Sequence, residues 1–281
     1  MSKRKARAER AIIYAVVTVI ALMLVYPLLW MISSSLKPEA IIFDQIGLWP
    51  ETVTFENYIL GWSGVSGVSF SRFYLNSFII VGLIVIGTLV SSSLTGYAFA
   101  RLQFPMKRLM FALMMMTIMV PLHAILIPQY TMFLKIGWVN TILPLIVPRF
   151  FATDAFFVFL LVQFMRGIPQ ELDEAATIDG CGSFRIFLKI IIPLTTPALI
   201  TAFIFSSIWA YNDFFSQLIY LSEPSSLTIS VALRFFLDAT ARSHHGQLFA
   251  MSVTSLIPLI VLFILFQRYL IQGISTSGMK G

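Results

Sequence analysis

Between Ala11 and Ser33 the chain runs for 23 residues without a charged side chain, directly after a start that contains Lys3, Arg4, Lys5, Arg7 and Arg10. A run of that length crosses roughly 30 Å of hydrocarbon as a helix. Five further segments meet the same test: Phe73–Ala100, Leu109–Tyr130, Asn140–Phe164, Pro193–Ile219 and Gln247–Leu270. The fourth is the least clean, because it contains Arg149 and Asp154, and the fifth carries Asp213 near its end. Lipid offers no partner to a free N–H or C=O, so continuous helix is the expected backbone. The pattern predicts an all-α, polytopic membrane helix bundle with six transmembrane helices.

Composition agrees, since only 11% of residues are charged and 58% are hydrophobic, against about 25% charged in soluble domains. The net charge of +6 is spread in short basic clusters that flank apolar runs, which excludes a nucleic-acid-binding face. With the amino terminus inside, thirteen basic residues fall on the inner side and six outside: Lys37, Arg72, Lys135, Arg149, Arg234 and Arg242. That bias predicts both termini in the cytoplasm, with residues 1–10 and 271–281 as tails around a six-span transmembrane domain at 11–270. The first apolar run is too long for a signal peptide and ALMLVYPLLW offers no small-residue cleavage site, so it reads as a retained span. No soluble excursion is large enough to fold as a catalytic domain with its own core.

One polar island interrupts the apolar chain, Arg166–Lys189, reading RGIPQELDEAATIDGCGSFRIFLK. Pro169 suits a first helical turn, and Glu171, Asp173 and Glu174 put negative charge where exposed N–H groups favour it. Ala175 and Ala176 are strong helix formers, while Gly180 and Gly182 permit a tight stop. A helix this short is marginal alone. Physical reading leaves two roles for it, an interfacial connector or a surface seated in a partner.

The spacing Glu174-Ala175-Ala176, Gly180, Ile190, Ile192, Pro193 resembles the EAA loop of binding-protein-dependent ABC importer permeases. That pattern usually has Leu before the Pro; Ile192 is a volume-conserving replacement. GYAFARLQFP at Gly96–Pro105, WAYNDFF at Trp209–Phe215 and the tail with Gly278, Lys280 and Gly281 resemble the sugar-importer branch, the maltose G-type subunit. The resemblance implies a multi-pass protein of a bacterial or archaeal plasma (inner) membrane. It also implies a second homologous permease, two copies of a cytoplasmic ABC ATPase that uses ATP and Mg, and an extracytoplasmic solute-binding protein that delivers a sugar. Glu174, Ala175, Ala176 and Gly180 would form the core of the ATPase-coupling surface, with Glu171 and Asp173 at its rim. This chain has no GxxxxGK[ST] pattern and is expected to bind no cofactor and to catalyse nothing itself.

Polar groups inside spans mark candidate solute contacts. Tyr211, Asn212 and Asp213 are the candidate pore-lining residues, beside Trp209 and Gln217. Ser91–Ser93 read as small packing surface or cross-helix bonds, and His123, between Pro121 and Pro128, as a packing group in a bent span. Arg149 and Asp154 lie five apart, poorly placed to pair on one helix face, and so each is expected to need water, a headgroup or another span. Outside, Ser225–Ala241 with Arg234 and Asp238 can form an amphipathic segment, and His244-His245 lacks the further ligands of a zinc site. An ion-coupled secondary transporter is the alternative, but no inverted repeat is visible. A membrane enzyme would need clustered His, Asp or Glu.

Overall fold

The structure is a computed structural model and describes residues 3–237 and 244–278; Asp238, Arg242, Lys280 and Gly281 lie outside the described residues. The described chain is helical apart from loops and one isolated bridge between Val65 and Val68. The first half comprises α1 (Lys3–Ser35), α2 (Glu56–Ser63), α3 (Phe70–Arg101), α4 (Lys107–Thr117), α5 (Leu122–Lys135), α6 (Leu143–Ile146) and α7 (Ala155–Arg166). The second half comprises α8 (Glu171–Ile178), α9 (Ser183–Ile186), α10 (Ile192–Leu194), α11 (Thr196–Asn212), α12 (Phe215–Tyr220), α13 (Ile229–Ala232) and α14 (His245–Gly278).

Among the described residues, four stretches are long and apolar enough to cross a membrane: Glu9–Ser35, Phe70–Arg101, Leu143–Arg166 and His245–Arg268. A fifth qualifies if Ser183–Leu194 and Thr196–Asn212, bent by 75°, count as one. This is fewer than the six unbroken helices expected. The expected third, Leu109–Tyr130, is divided at residues 118–121 into α4 and α5. Pro121 stands at the break in an extended conformation, and a proline also drives the residue before it out of the helical region. The expected fifth, Pro193–Ile219, ends early, because Asp213 is extended and α12 begins afresh at Phe215.

The chain divides into two compact units. In the first, Met1–Ser71 with Ala232–Ile257, Lys37 is fully buried and its Nζ donates to the carbonyls of Gln45 (2.5 Å) and Gly47 (2.7 Å). Asn57 donates to the carbonyls of Ser35 and Lys37 and so closes the end of α1 onto α2. The Glu39 carboxylate accepts the backbone N–H groups of His245 (2.8 Å) and Gly246 (2.7 Å). It thereby fills two open donors at the start of α14 and places negative charge on the positive end of the helix. His245 opens that helix and packs against Phe43, a structural position rather than that of an exposed loop histidine.

The second unit is Arg72–Val231 with Pro258–Gly281. Its packing rests on small residues along α3. A Cβ on Gly96 would lie 3.2 Å from Leu161 Cβ, and one on Gly87 would lie 2.7 Å from the Phe150 ring. Near the start of α3, Asn76 donates to the carbonyls of Ser225 and Leu227, and Ser77 accepts the N–H of Ile229. Gln217, buried, donates to Ala210 O and accepts from Thr228 and Ser230. These bonds hold the 222–231 loop against α3 and α12.

Replacing Gly87 with Ala should therefore overpack the contact with Phe150 and destabilise the protein by about 1–3 kcal/mol. Thermal unfolding monitored by size-exclusion should show a lowered midpoint, and a smaller residue at Phe150 should restore it.

Candidate functional site

Residues 166–189 contain a short helix, α8, with defined ends. The chain turns after Arg166, and α8 begins with Glu171, Asp173 and Glu174 in its first turn. It stops in a Schellman arrangement: Cys181 N–H donates to Ala176 O (2.9 Å) and Gly180 N–H to Thr177 O (3.0 Å). That geometry requires the left-handed conformation at Gly180, where φ is +76°. Nothing stands within 4 Å of where a Cβ would be, so glycine is needed there for its backbone and not for room. Gly182 is extended and opens α9, which continues through a π-turn at Phe187–Ile191 into α10.

The end of α3 holds this helix in place. The Arg101 side chain is almost wholly buried, its Nε 3.2 Å from Asp173 Oδ2, and its Nη2 donates to Ile168 O at 2.7 Å. One guanidinium thus grips both the turn before α8 and the first turn of α8. Tyr97, one helical turn earlier, donates its hydroxyl to Ser183 O (3.0 Å), and its ring meets that of Phe187 at 5.1 Å. Ala176 joins Tyr97, Met165, Ile186 and Ile191 in one buried cluster.

The predicted coupling residues therefore divide. Asp173 turns inward to Arg101 and Ala176 is buried, whereas Glu171, Glu174, Ala175 and Gly180 face outward. Ile178 and Phe184 flank that face and are 87% and 66% exposed. Tyr97 and Arg101 entered the sequence analysis only within GYAFARLQFP at Gly96–Pro105, with no contact to the acidic helix foreseen. The available signal was their position at the end of the second apolar run, expected on the same side as the acidic helix.

The solute candidates also separate. Tyr211 is buried and lines an apolar cavity of about 390 Å³ with Phe78, Val85, Phe203 and Pro258. Asn212 and Asp213 line a different, more polar cavity of about 340 Å³ with Thr88, Arg149, Asp154 and Trp209. Asn212 donates to Ile208 O one turn back, and Asp213 Oδ1 accepts the Ser216 N–H at the start of α12.

Arg149 and Asp154 form an ion pair with each other, contrary to expectation. The helical-spacing argument fails because this stretch is not α-helix: Val147–Phe151 is a 3-10 turn, and Ala152 is left-handed at φ +54°. Ser91 donates to Arg149 O, and Thr88 Oγ1 lies 3.4 Å from Asp154 Oδ2. His123 packs against Phe215 with the rings tilted and their centroids 4.9 Å apart, in keeping with a packing role.

Replacing Arg101 with Ala should leave the half-buried Asp173 carboxylate without its cation and cost about 1–3 kcal/mol locally. Hydrogen exchange across residues 171–178 should accelerate while that of α14 stays unchanged. Combining Arg101→Ala with Asp173→Ala should cost less than the sum of the two.

Residues 92–276 match the family described as "Binding-protein-dependent transport system inner membrane component". Over 270 residues the chain is 34% identical to the arabinooligosaccharides transport system permease protein AraQ of Halalkalibacterium halodurans, covering 93% of each chain. It is 34% identical over 278 residues to the trehalose transport system permease protein SugB of Mycobacterium tuberculosis, covering 98% of this chain and 99% of the relative. In fold it matches a chain from the crystal structure of a bacterial ABC transporter involved in the import of the acidic polysaccharide alginate. The TM-score is 0.85 at 21% identity, over 96% of this chain and 99% of that one. The chain belongs to the binding-protein-dependent transport system inner membrane components, the non-catalytic permease subunits of ABC importers.

Proposed function

We propose that this permease carries a carbohydrate through the inner membrane and belongs to the sugar-importer branch that resembles the maltose G-type subunit. AraQ and SugB, by name permeases for arabinooligosaccharides and trehalose, support the cargo class. The chain crosses the membrane six times, with α4 and α5 together as the third crossing and the bent α9–α11 path as the fifth. Both termini and the 166–189 loop lie in the cytoplasm. It pairs with a second, similar permease, two ATPase copies and a solute-binding protein on the far side.

The observation that carries the coupling role is a helix whose outer face is free and whose inner face is clamped. Glu171, Glu174 and Ala175 are exposed, while Arg101 and Tyr97 hold the same loop to α3. Closure of the ATPases pushes α8, and the clamp passes that displacement into the spans. The exposed carboxylates orient the helix toward basic groups on the ATPase more than they add affinity. Transport then follows if ATP binding favours the outward-open arrangement over the inward-open one.

Replacing Gly180 with Trp should disrupt the left-handed stop and misplace the docking face. In the reconstituted importer, ATP hydrolysis should then proceed without solute uptake, or the ATPase should fail to co-purify. Normal assembly with normal uptake would sink the coupling assignment. A reporter fused between residues 166 and 189 should read cytoplasmic, and an exported signal there would overturn the topology.

A further inference from the structure

The cavity beside Asn212 carries a charge arrangement that the coupling role does not use. Arg149, Asp154 and Asp213 line both this cavity and a smaller neighbour of about 170 Å³, so the three charged groups stand between two chambers. Ile84 and Thr88 also line it, Thr88 beside Asp154, and lie near the midpoint of α3, which sets the cavity at mid-depth along that helix.

The side chains of Arg149 and Asp154 are 32% and 24% exposed. A partly open ion pair at that depth is too costly against lipid, so it faces protein-lined water. Of the guanidinium nitrogens, only Nη1 is bonded among the described residues, and Asp213 Oδ2 has no hydrogen-bond donor there. Donor and acceptor capacity is therefore left over for a solute.

Trp209 completes the site. Phe156, Phe157 and Phe205 surround its ring at 5.1, 5.2 and 6.1 Å, yet the residue remains 49% exposed. A fixed aromatic surface beside a few convergent polar groups suits a sugar, whose C–H face stacks while its hydroxyls donate and accept. The charge balance adds selectivity. One guanidinium faces two carboxylates, so the chamber carries an excess of negative charge.

We propose that Arg149, Asp154, Asp213 and Trp209 form a water-filled solute subsite within this subunit that admits neutral carbohydrates and repels anionic ones. This rests on the permease reading above.

The test is a charged-reagent measurement on the assembled importer in nanodiscs, with Cys181, the single native cysteine, replaced by Ser. A thiol introduced by Asn212→Cys is exposed to a cationic and an anionic methanethiosulfonate, each rate normalised to that reagent's rate with a small free thiol. The cation should react about tenfold faster, the size expected when opposite unit charges approach one uncompensated carboxylate through water. Adding Asp213→Asn should bring the two rates close to parity, and adding Arg149→Gln should widen the gap.

Equal rates, faster labelling by the anion, or no labelling by either reagent would overturn the subsite. If Asn212→Cys does not assemble, Ser206→Cys, on the wall of the same cavity, takes its place. Co-purification of the ATPase in the same sample reports separately on the permease reading, so its loss in the Cys181→Ser parent is distinguishable from failure of the subsite.

Discussion

Hydrocarbon offers no hydrogen-bond partner to a backbone amide or carbonyl, and every departure from helix in this chain has to be filled by the chain itself or by enclosed water. The interruptions follow that rule. Where Val147–Phe151 tightens into a 3-10 turn, Ser91 of α3 donates to the Arg149 carbonyl. Where α11 ends at Asp213, that residue's carboxylate accepts an N–H from the next helix, and the nearby Gln217 bonds the carbonyl of Ala210. Both interruptions border the same polar cavity. Broken backbone, an ion pair and open space occur together because each makes the others tolerable at that depth.

The same economy governs the acidic helix. An eight-residue helix has little stability alone, and this one gains it from a glycine-dependent stop, a buried alanine and a guanidinium that reaches from α3. Arg101 is the economical element, since one side chain secures both the turn at Ile168 and the first helical turn at Asp173. A force applied to the exposed face of α8 reaches α3 through this ion pair, and reaches α9 and α10 through Tyr97 and the cluster around Ala176. Packed contacts of this kind transmit displacement because the interior resists compression.

Much of this was legible in sequence. Long apolar runs located the long helices, and the spacing from Glu174 to Pro193 located the loop and its turn at Gly180. Apolarity alone could not show where helices break, because Ile118–Val120 is as greasy as its neighbours and only Pro121 marks the interruption. The pairing of Arg149 with Asp154 was hidden for a related reason: a rule for α-helical spacing was applied to residues that adopt a tighter turn and a left-handed kink. Asp173 looked like its acidic neighbours in sequence, and only the arrival of Arg101 from 72 positions earlier distinguishes it. Tyr211 and Asn212, adjacent in sequence, part because successive residues on a helix point about 100° from each other.

The central claim is that α8 and the end of α3 move as one body when the importer binds ATP. Spin labels at positions 177 and 94, both exposed, in the Cys181→Ser background would report their separation by pulsed electron resonance in the assembled complex. An unchanged distance between the nucleotide-free and ATP-bound states is the predicted result. A shift approaching one helical turn, about 5.4 Å, would show the loop sliding past α3 and would contradict the account.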